Sequence, residues 1–518
     1  MKKAYFYSII LFFIFSQNLT VQAQDLSFAM ESYENMQYDL ALKDFAKVWK
    51  KQKEDLEVNL MYGKCILKAN VDRTTALSYL KTVFNKDNKY KDICLALGIT
   101  YMYKHQFDTA QKYLKQYLAQ THSKKDSNNI KSAQLELQHC NTAKTLVQNK
   151  LNIHFINLGK TINTKRSEFN PFLTPDDNTL FYTSNKVYDS DLIELIKNGY
   201  FSTYDPLYHR WSKMKSLGKA VNTSDNEKVT GLSKDGKKII ITVDWMGEEG
   251  DLYITSKDGK KFQELSLLSE TVNSKFNEQS GSLSTEEDTL YFSSNRPGGK
   301  GGSDIYISVK LPNGEWGKPL NLEAPINTPY NEEFPNISKD GNTLYFASDN
   351  PNAMGGYDIF KCQKQSDGSW SKPINLGYPI NNCYDNTIIS FTNHPRYAYT
   401  AQIRPEGMGG TDIYKVVFED IAAPQIIYTG KILTGDKSNS QTIQGDFKIK
   451  IIDQDNNKEV TQYSFNKNTN KYTIILIPGK YKLVISGQHI ETFEKRIVIP
   501  EMAPIKPIVK KDFYLKKK

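Results

Sequence analysis

Residues 316–360 read WGKPLNLEAPINTPYNEEFPNISKDGNTLYFASDNPNAMGGYDIF. A Trp opens the stretch. Ile326-Asn327 follows, then Ser338-Lys339-Asp340-Gly341, an apolar run, and Gly355-Gly356 ahead of Asp358-Ile359-Phe360. Nearly the same order recurs from Trp370 to Tyr414, 54 residues on. A fixed period of about 50 residues is the signature of a propeller or a solenoid. Asp-Gly between two apolar runs is a hairpin signal, because Gly tolerates the positive φ that the tight turn needs.

Extended in both directions, the pattern appears five times. The β-branched residue before the recurring Asn is Ile162, Val221, Val272, Ile326 and Ile380. The turn-opening Ser or Thr is Thr174, Ser233, Ser284, Ser338 and Thr392. A strand starting Asp-Leu or Asp-Ile is found at Asp251, Asp304, Asp358 and Asp412. The first unit lacks that strand motif and has an insertion at residues 189–197, so Tyr200 to Tyr204 is expected to supply the strand. Each unit then holds about four strands, and residues 151–418 are predicted to form five blades. Residues 151–158 belong to no unit of their own. They are expected to complete the fifth and close the ring, which removes the exposed sheet edges.

Residues 24–150 contain no Pro and have helical periodicity. Tyr38-Ala41-Phe45, Arg73-Ala76-Leu80 and Phe107-Ala110-Leu114 repeat at 35 and 34 residues, which is the tetratricopeptide period. Leu97-Gly98 and Tyr101 resemble the L-G-x-x-Y part of that family's signature. The second copy departs by one residue, with Gly63 thirteen residues before Ala76. Small residues suit the positions where paired helices cross closely. A final amphipathic helix over residues 127–149 would cap the stack. Leu26, Met30, Tyr33, Met61, Lys68, Leu95, Ile99 and Met102 are placed by position on a concave face. Of these, Met30, Tyr33, Met61, Ile99 and Met102 are the candidate partner contacts.

The first 23 residues read as a leader: Lys2-Lys3, the apolar run IILFFIF at 9–15, and Val21-Gln22-Ala23 as a cleavage site. No later stretch reaches about 18 apolar residues, so no transmembrane helix is predicted. Net charge is +9, part of it in the leader and in the Lys-rich tail. No basic stripe with interleaved aromatics points to nucleic acid. The five Cys match no zinc spacing, and no cofactor or metal is implied.

Residues 424–518 carry short alternating runs such as Phe447 to Ile452 and Lys471 to Leu476, which predict a small β-sandwich. The whole is therefore a multidomain chain: a helical array, an all-β five-bladed propeller and an all-β sandwich.

Two recurrent polar features qualify as sites. Glu168, Glu227, Glu278 and Glu332, with Asn386 in the fifth unit, lie six residues past each β-branched position and five past the recurring Asn. They would form a partial ring at one mouth of the channel, able to hold a cation or a basic tail. Their recurrence favours the other reading, that each ties neighbouring blades by hydrogen bonds. The glycine-rich loops near 296–302, 351–356 and 404–410 join strands and lack the helix that a phosphate cradle needs. They shape one propeller face, with Arg296 and Arg404 as candidate contacts.

The I-N-T, S-x-D-G-x-T-L-Y-F-x-S and G-G-x-D-I-Y elements resemble the WD40-like repeats of TolB-type propellers. G-K-I-L at Gly430 to Leu433, K-Y-T-I at Lys471 to Ile474 and P-G-K-Y-K-L resemble the carboxypeptidase regulatory-like domain. The order of domains resembles PorE-like proteins of the type IX secretion system, without their OmpA-like domain. The resemblance implies a non-enzymatic periplasmic scaffold that is outer-membrane-associated and binds other envelope proteins, including secretion or gliding components. An envelope glycan- or peptide-binding module is the alternative. A peptidase would need Gly-x-Ser-x-Gly and a glycosidase two facing carboxylates, and neither pattern stands out.

Overall fold

The computed structural model describes residues 25–121, 124–189, 194–205, 210–233, 235–244, 250–259, 261–443, 447–460, 463–499 and 508–518. The leader lies outside these residues.

The described residues begin with seven α-helices: α1 (25–34), α2 (Tyr38–Lys51), α3 (Leu56–Lys68), α4 (Ala76–Lys86), α5 (Ile93–Tyr103), α6 (Phe107–Gln120) and α7 (Ser127–Gln148). Each of α2 to α6 packs on its successor. Local chemistry starts α3: Asp55 accepts the Val58 N–H at 2.9 Å, satisfying one orphan donor of the first turn. Ala41, Ala76 and Ala110 are fully buried. A Cβ on Gly63 would lie 2.6 Å from Leu80 Cδ2, and one on Gly98 2.6 Å from Leu114 Cγ. The two glycines thus do the same work, letting a Leu of the next helix approach the backbone. The extra residue in the second copy is accommodated where a 3-10 turn, Arg73–Thr75, precedes α4. Helix α5 is buried on nearly every side because it contacts α3, α4, α6 and α7.

The β region has five antiparallel sheets. Sheet I contains Glu168–Leu173, Thr179–Asp189, Glu194–Asp205 and two short outer pieces. Sheet II has Asn226–Leu232, Lys238–Asp244 and Asp251–Asp258, again with two short pieces outside. Sheets III and IV run Glu278–Leu283, Thr289–Ser294, Asp304–Val309, Leu320–Asn321, and Glu332–Ile337, Thr343–Ser348, Asp358–Gln363, Ile374–Asn375. Sheet V runs Ile389–Phe391, Tyr397–Gln402, Asp412–Phe418, and then Ile153–Asn157 from the start of the region. Ile153 pairs with Phe418 and Asn157 with Tyr414, so the expected closing strand is in place. The first strands of I and II, II and III, III and IV, and V and I touch. Asn336 Nδ2 donates to Ile389 O at 3.3 Å between IV and V. The sheets therefore follow one another round an axis, as in a β-propeller. The sequence predicts about four strands in each unit. Instead the outer edge is broken, with Trp316 and Trp370 bridging Lys310 and Lys364 apart from the two-residue strands. The insertion in sheet I lengthens the hairpin of its second and third strands, with Val187 opposite Ile196.

One side chain joins each sheet to the next. Asn163 Oδ1 accepts the Ile413 N–H at 2.9 Å while its Nδ2 donates to Ile413 O at 3.0 Å. Asn222 makes the same pair with Gly199, Asn273 with Leu252, Asn327 with Ile305 and Asn381 with Ile359, all at 2.8–3.0 Å. In every case the partner is on the third strand of the preceding sheet. The glycine-rich loops fit beneath: a Cβ on Gly301 would sit 1.6 Å from Tyr330 O of the segment entering sheet IV.

Beyond residue 425, a six-stranded sheet and a three-stranded sheet enclose one core that includes Ile432, Ile451, Tyr472, Leu483 and Leu515. This is the small all-β unit expected from the alternating runs.

Asn327→Leu leaves the Ile305 N–H buried without its partner, while the Ile305 C=O keeps only the Leu322 N–H. It is expected to lower stability by about 2 to 4 kcal/mol in urea unfolding followed by Trp fluorescence. Leu320→Ala, at an exposed position, should cost little.

Candidate functional site

The helical array and the β region meet at Arg73. The Arg73 N–H donates to the Tyr384 hydroxyl at 3.3 Å, and Nη1 donates to the Tyr103 hydroxyl at 2.5 Å. Its guanidinium lies 5.2 Å from the Tyr103 ring centroid and 5.3 Å from that of Tyr384, with Asp385 at 3.7 Å. The two tyrosine rings are 4.7 Å apart. Burial opposes the charge on Arg73, yet Tyr103 and Asp385 outweigh it and raise the pKa. A second contact comes from α7. His139 Nε2 lies 3.2 Å from Asn350 O, and Thr142 Oγ1 donates to Pro351 O at 3.0 Å. Met354 and Cys383 of the β region belong to the helical core.

A cleft of about 390 Å³ opens beside this contact. Its apolar strip is Leu67, Leu95 and Ile99. Tyr33, Lys64, Lys68 and Asp92 come from the helices, and Gly356 and Asp385 from the β region. Lys64 Nζ and Asp92 Oδ2 form an ion pair at 2.7 Å. An apolar strip with flanking charges of both signs can seat an extended or helical peptide.

Tyr33 and Ile99, read from sequence as partner contacts, line this cleft, as do Lys68 and Leu95. Met61 and Met102 are instead core residues, because α3 and α5 are enclosed by neighbours on the side expected to be open. Met30 packs against the cluster of Ala29, Ala41 and Phe45. Arg73, Tyr103, Tyr384 and Asp385 were not expected at a site. One signal marks Arg73: it stands where the other two copies have Tyr38 and Phe107.

The glutamates do not line a channel mouth: all four are fully buried. Each turns back to the residue four before it. The Thr164 N–H and hydroxyl donate to Glu168 at 2.7 and 2.8 Å, those of Ser274 to Glu278 at 2.9 and 2.8 Å, and those of Thr328 to Glu332 at 2.8 and 2.6 Å. Thr223 serves Glu227 in the same way. A serine on the next strand adds a bond in three sheets, from Ser184, Ser294 and Ser348 at 2.6–2.8 Å. In sheet II, Val243 takes that place, and Glu227 Oε2 has no hydrogen-bond partner among the described residues. At the other end of the inner strands, Leu173, Leu232, Leu283, Ile337 and Phe391 surround a depression of about 420 Å³.

Arg296 is committed to this framework. It donates to Glu278 at 2.9 Å and to Ser294 at 2.9 Å, and lies over the rings of Phe292 and Tyr306. Arg404 lies 4.1 Å from the centroid of Phe155 and donates to Glu406 and Gln402. Among the described residues, no group of three His, Cys, Asp or Glu side chains is placed to hold a metal ion. No described helix is long and apolar enough to cross a membrane. All five cysteines are buried and unpaired.

No family model and no curated protein matches the chain. Among solved structures, TolB from Acinetobacter baumannii is 13% identical with TM-score 0.31; the match covers 50% of this chain and 56% of that one. A putative TolB from Agrobacterium tumefaciens is 15% identical with TM-score 0.28, covering 51% and 97%. A glycoside hydrolase is 10% identical with TM-score 0.38, covering 52% and 94%. The architecture rests on the sheet pairing above, independently of these likenesses.

Burial pushes the Glu227 carboxyl up to about 7 from 4.5. A carboxyl whose folded pKa exceeds its unfolded value supports the fold while protonated. That support is complete below the unfolded pKa and fades as pH rises toward about 7. Glu227→Gln should therefore gain roughly 1 to 3 kcal/mol over the parent at high pH and almost nothing in acid, as read from thermal unfolding at both pH values. Arg73→Lys keeps the charge and loses the planar stack between two rings. It should cost about 2 kcal/mol in urea unfolding.

Proposed function

We propose that this chain is a non-enzymatic adaptor of the bacterial envelope. It would work in the periplasm beside the outer membrane and bind components of the type IX secretion or gliding machinery. In this reading the helices are a tetratricopeptide array, the five sheets are the blades of a TolB-type propeller, and the last unit is a carboxypeptidase regulatory-like domain. The similarity of domain order to PorE-like proteins supports the assignment.

The observation that carries it is the cleft between array and propeller. Residues from both bodies line it, and Arg73 and His139 hold the two bodies together beside it. A partner segment seated there would touch both at once. That is what an adaptor needs, and it requires no reacting group. The recurrent glutamates and glycines serve the scaffold, which leaves the departures from the repeat as the binding residues.

Affinity capture from envelope fractions, followed by mass spectrometry, tests the reading. The parent chain is expected to recover secretion or gliding components. Ile99→Glu, which places a charge in the apolar strip, should lose them with its helical circular dichroism intact. Leu320→Glu, on an exposed outer strand, should keep them. Capture unaffected by Ile99→Glu, or recovery of no envelope machinery, would overturn it.

A further inference from the structure

The positive charge of this chain is concentrated in one place. Residues 424–518 hold 17 Lys and Arg against nine Asp and Glu, a net +8 out of +9. Residues 24–423 carry a net −1.

The topology gathers part of that charge on one face. In the six-stranded sheet, Ile426–Thr434 pairs antiparallel with Lys471–Leu476, and Lys431 stands directly opposite Lys471. Both are exposed, while Ile432 and Tyr472, the next residues along, point into the core. Like charges directly opposed across a pair of strands destabilise a sheet, so nothing in folding asks for this arrangement. On the other flank, Ile508–Lys510 and Phe513–Leu515 run parallel to Ile426–Thr434, with Lys510 opposite Thr429. Lys511 and Asp512 bridge these two pieces across Gly430. The Lys511 N–H donates to Thr429 O at 2.8 Å, and the Lys431 N–H donates to Asp512 Oδ1 at 2.7 Å. A Cβ on Gly430 would lie 2.0 Å from Lys511 O, so only Gly lets the bridge sit this low. The result is an open groove of about 560 Å³, bordered by Lys431, Lys471, Lys510 and Lys511, with Asp512 and Tyr514 within it. None of the four lysines has a carboxylate at ion-pair distance among the described residues.

We propose that this groove binds an acidic polysaccharide, a chain of sugar rings bearing carboxylates. Lysines reach the carboxylates, while Asp512, Thr429, Ser440 and Tyr514 face the sugar hydroxyls. A flat anionic bilayer is a poor occupant: the lysines line a depression, and Leu433 and Tyr514 are half-buried in it instead of protruding. An acidic peptide fits less well. Asp512 lies in the groove and repels a run of carboxylates that carries no hydroxyls, whereas sugar hydroxyls can donate to it.

The test is retardation of the intact chain in native gels containing polygalacturonate. Dextran serves as the neutral control, with polyglutamate and phosphatidylglycerol vesicles as the competing polyanions. The parent is expected to be retarded by polygalacturonate, less so at high salt, and not by dextran. Lys471→Glu should weaken binding at least about tenfold. Its unfolding temperature should be no lower than the parent's, because opposite charges would then face each other across the strands. Lys448→Glu makes the same change in net charge on the three-stranded sheet and should bind as the parent does. Equal losses in the two variants would reduce the effect to overall charge and overturn the proposal. So would the absence of retardation, or binding to vesicles or polyglutamate in preference to polygalacturonate.

Discussion

The β region depends on five asparagine side chains. A carboxamide presents an N–H and a C=O side by side in one plane, as a peptide strand edge does, and can pair with the C=O and N–H of a single strand residue. Asn163, Asn222, Asn273, Asn327 and Asn381 all do this, each on the third strand of the sheet before it. Asp could accept but not donate, and Gln would overshoot by a methylene. The bonds are buried, so losing one Asn leaves a backbone N–H unsatisfied, while the C=O beside it keeps one backbone donor. With the Asn fixed, the segment that follows must run close to the preceding glycine-rich loop. The next Glu must then bend back onto its own Thr or Ser. The recurrent Asn, Gly and Glu are thus parts of one joint.

Much of this was legible in the sequence because the joint repeats. The period, the turn-opening Ser or Thr, the Asp-Ile strands and the closing strand before Ile162 all follow from residue types in fixed order. The chemistry of the glutamates was harder to read. A carboxylate at a recurring position has the same spacing whether it faces a channel or its own loop, and only the bond from Thr164 or Ser274 decides. Helix α5 defeated prediction of a concave face for a related reason. It is apolar on all sides, so periodicity cannot say that Ile99 faces the cleft and Met102 the core. The contact at Arg73 joins residues 311 apart, which no local pattern connects.

Departures from the repeat carry information of two kinds. Some are defects that the fold tolerates. Val243, where its counterparts are Ser184, Ser294 and Ser348, leaves Glu227 with an unmet oxygen. Others build new contacts. Arg73 replaces an aromatic and reaches across to Tyr384, and Asn350, at the position of Arg296 in the sheet before, offers its carbonyl to His139. A substitution that leaves a polar group orphaned marks a drift from the framework. One that finds a partner in another body marks where the framework was put to use.

The closing strand has a mechanical side. Ile153 lies beside Phe418, so the chain enters from the helical array and leaves toward the sandwich at the same end of one sheet. The Glu419 N–H donates to Asn152 O and Asn152 Nδ2 to Asp420 Oδ1, next to those first rungs. Tension between the two flanking bodies would load this seam as a zipper, one rung at a time, and not in shear across all rungs together. A closed ring of sheets therefore has one built-in line along which a modest pull opens it.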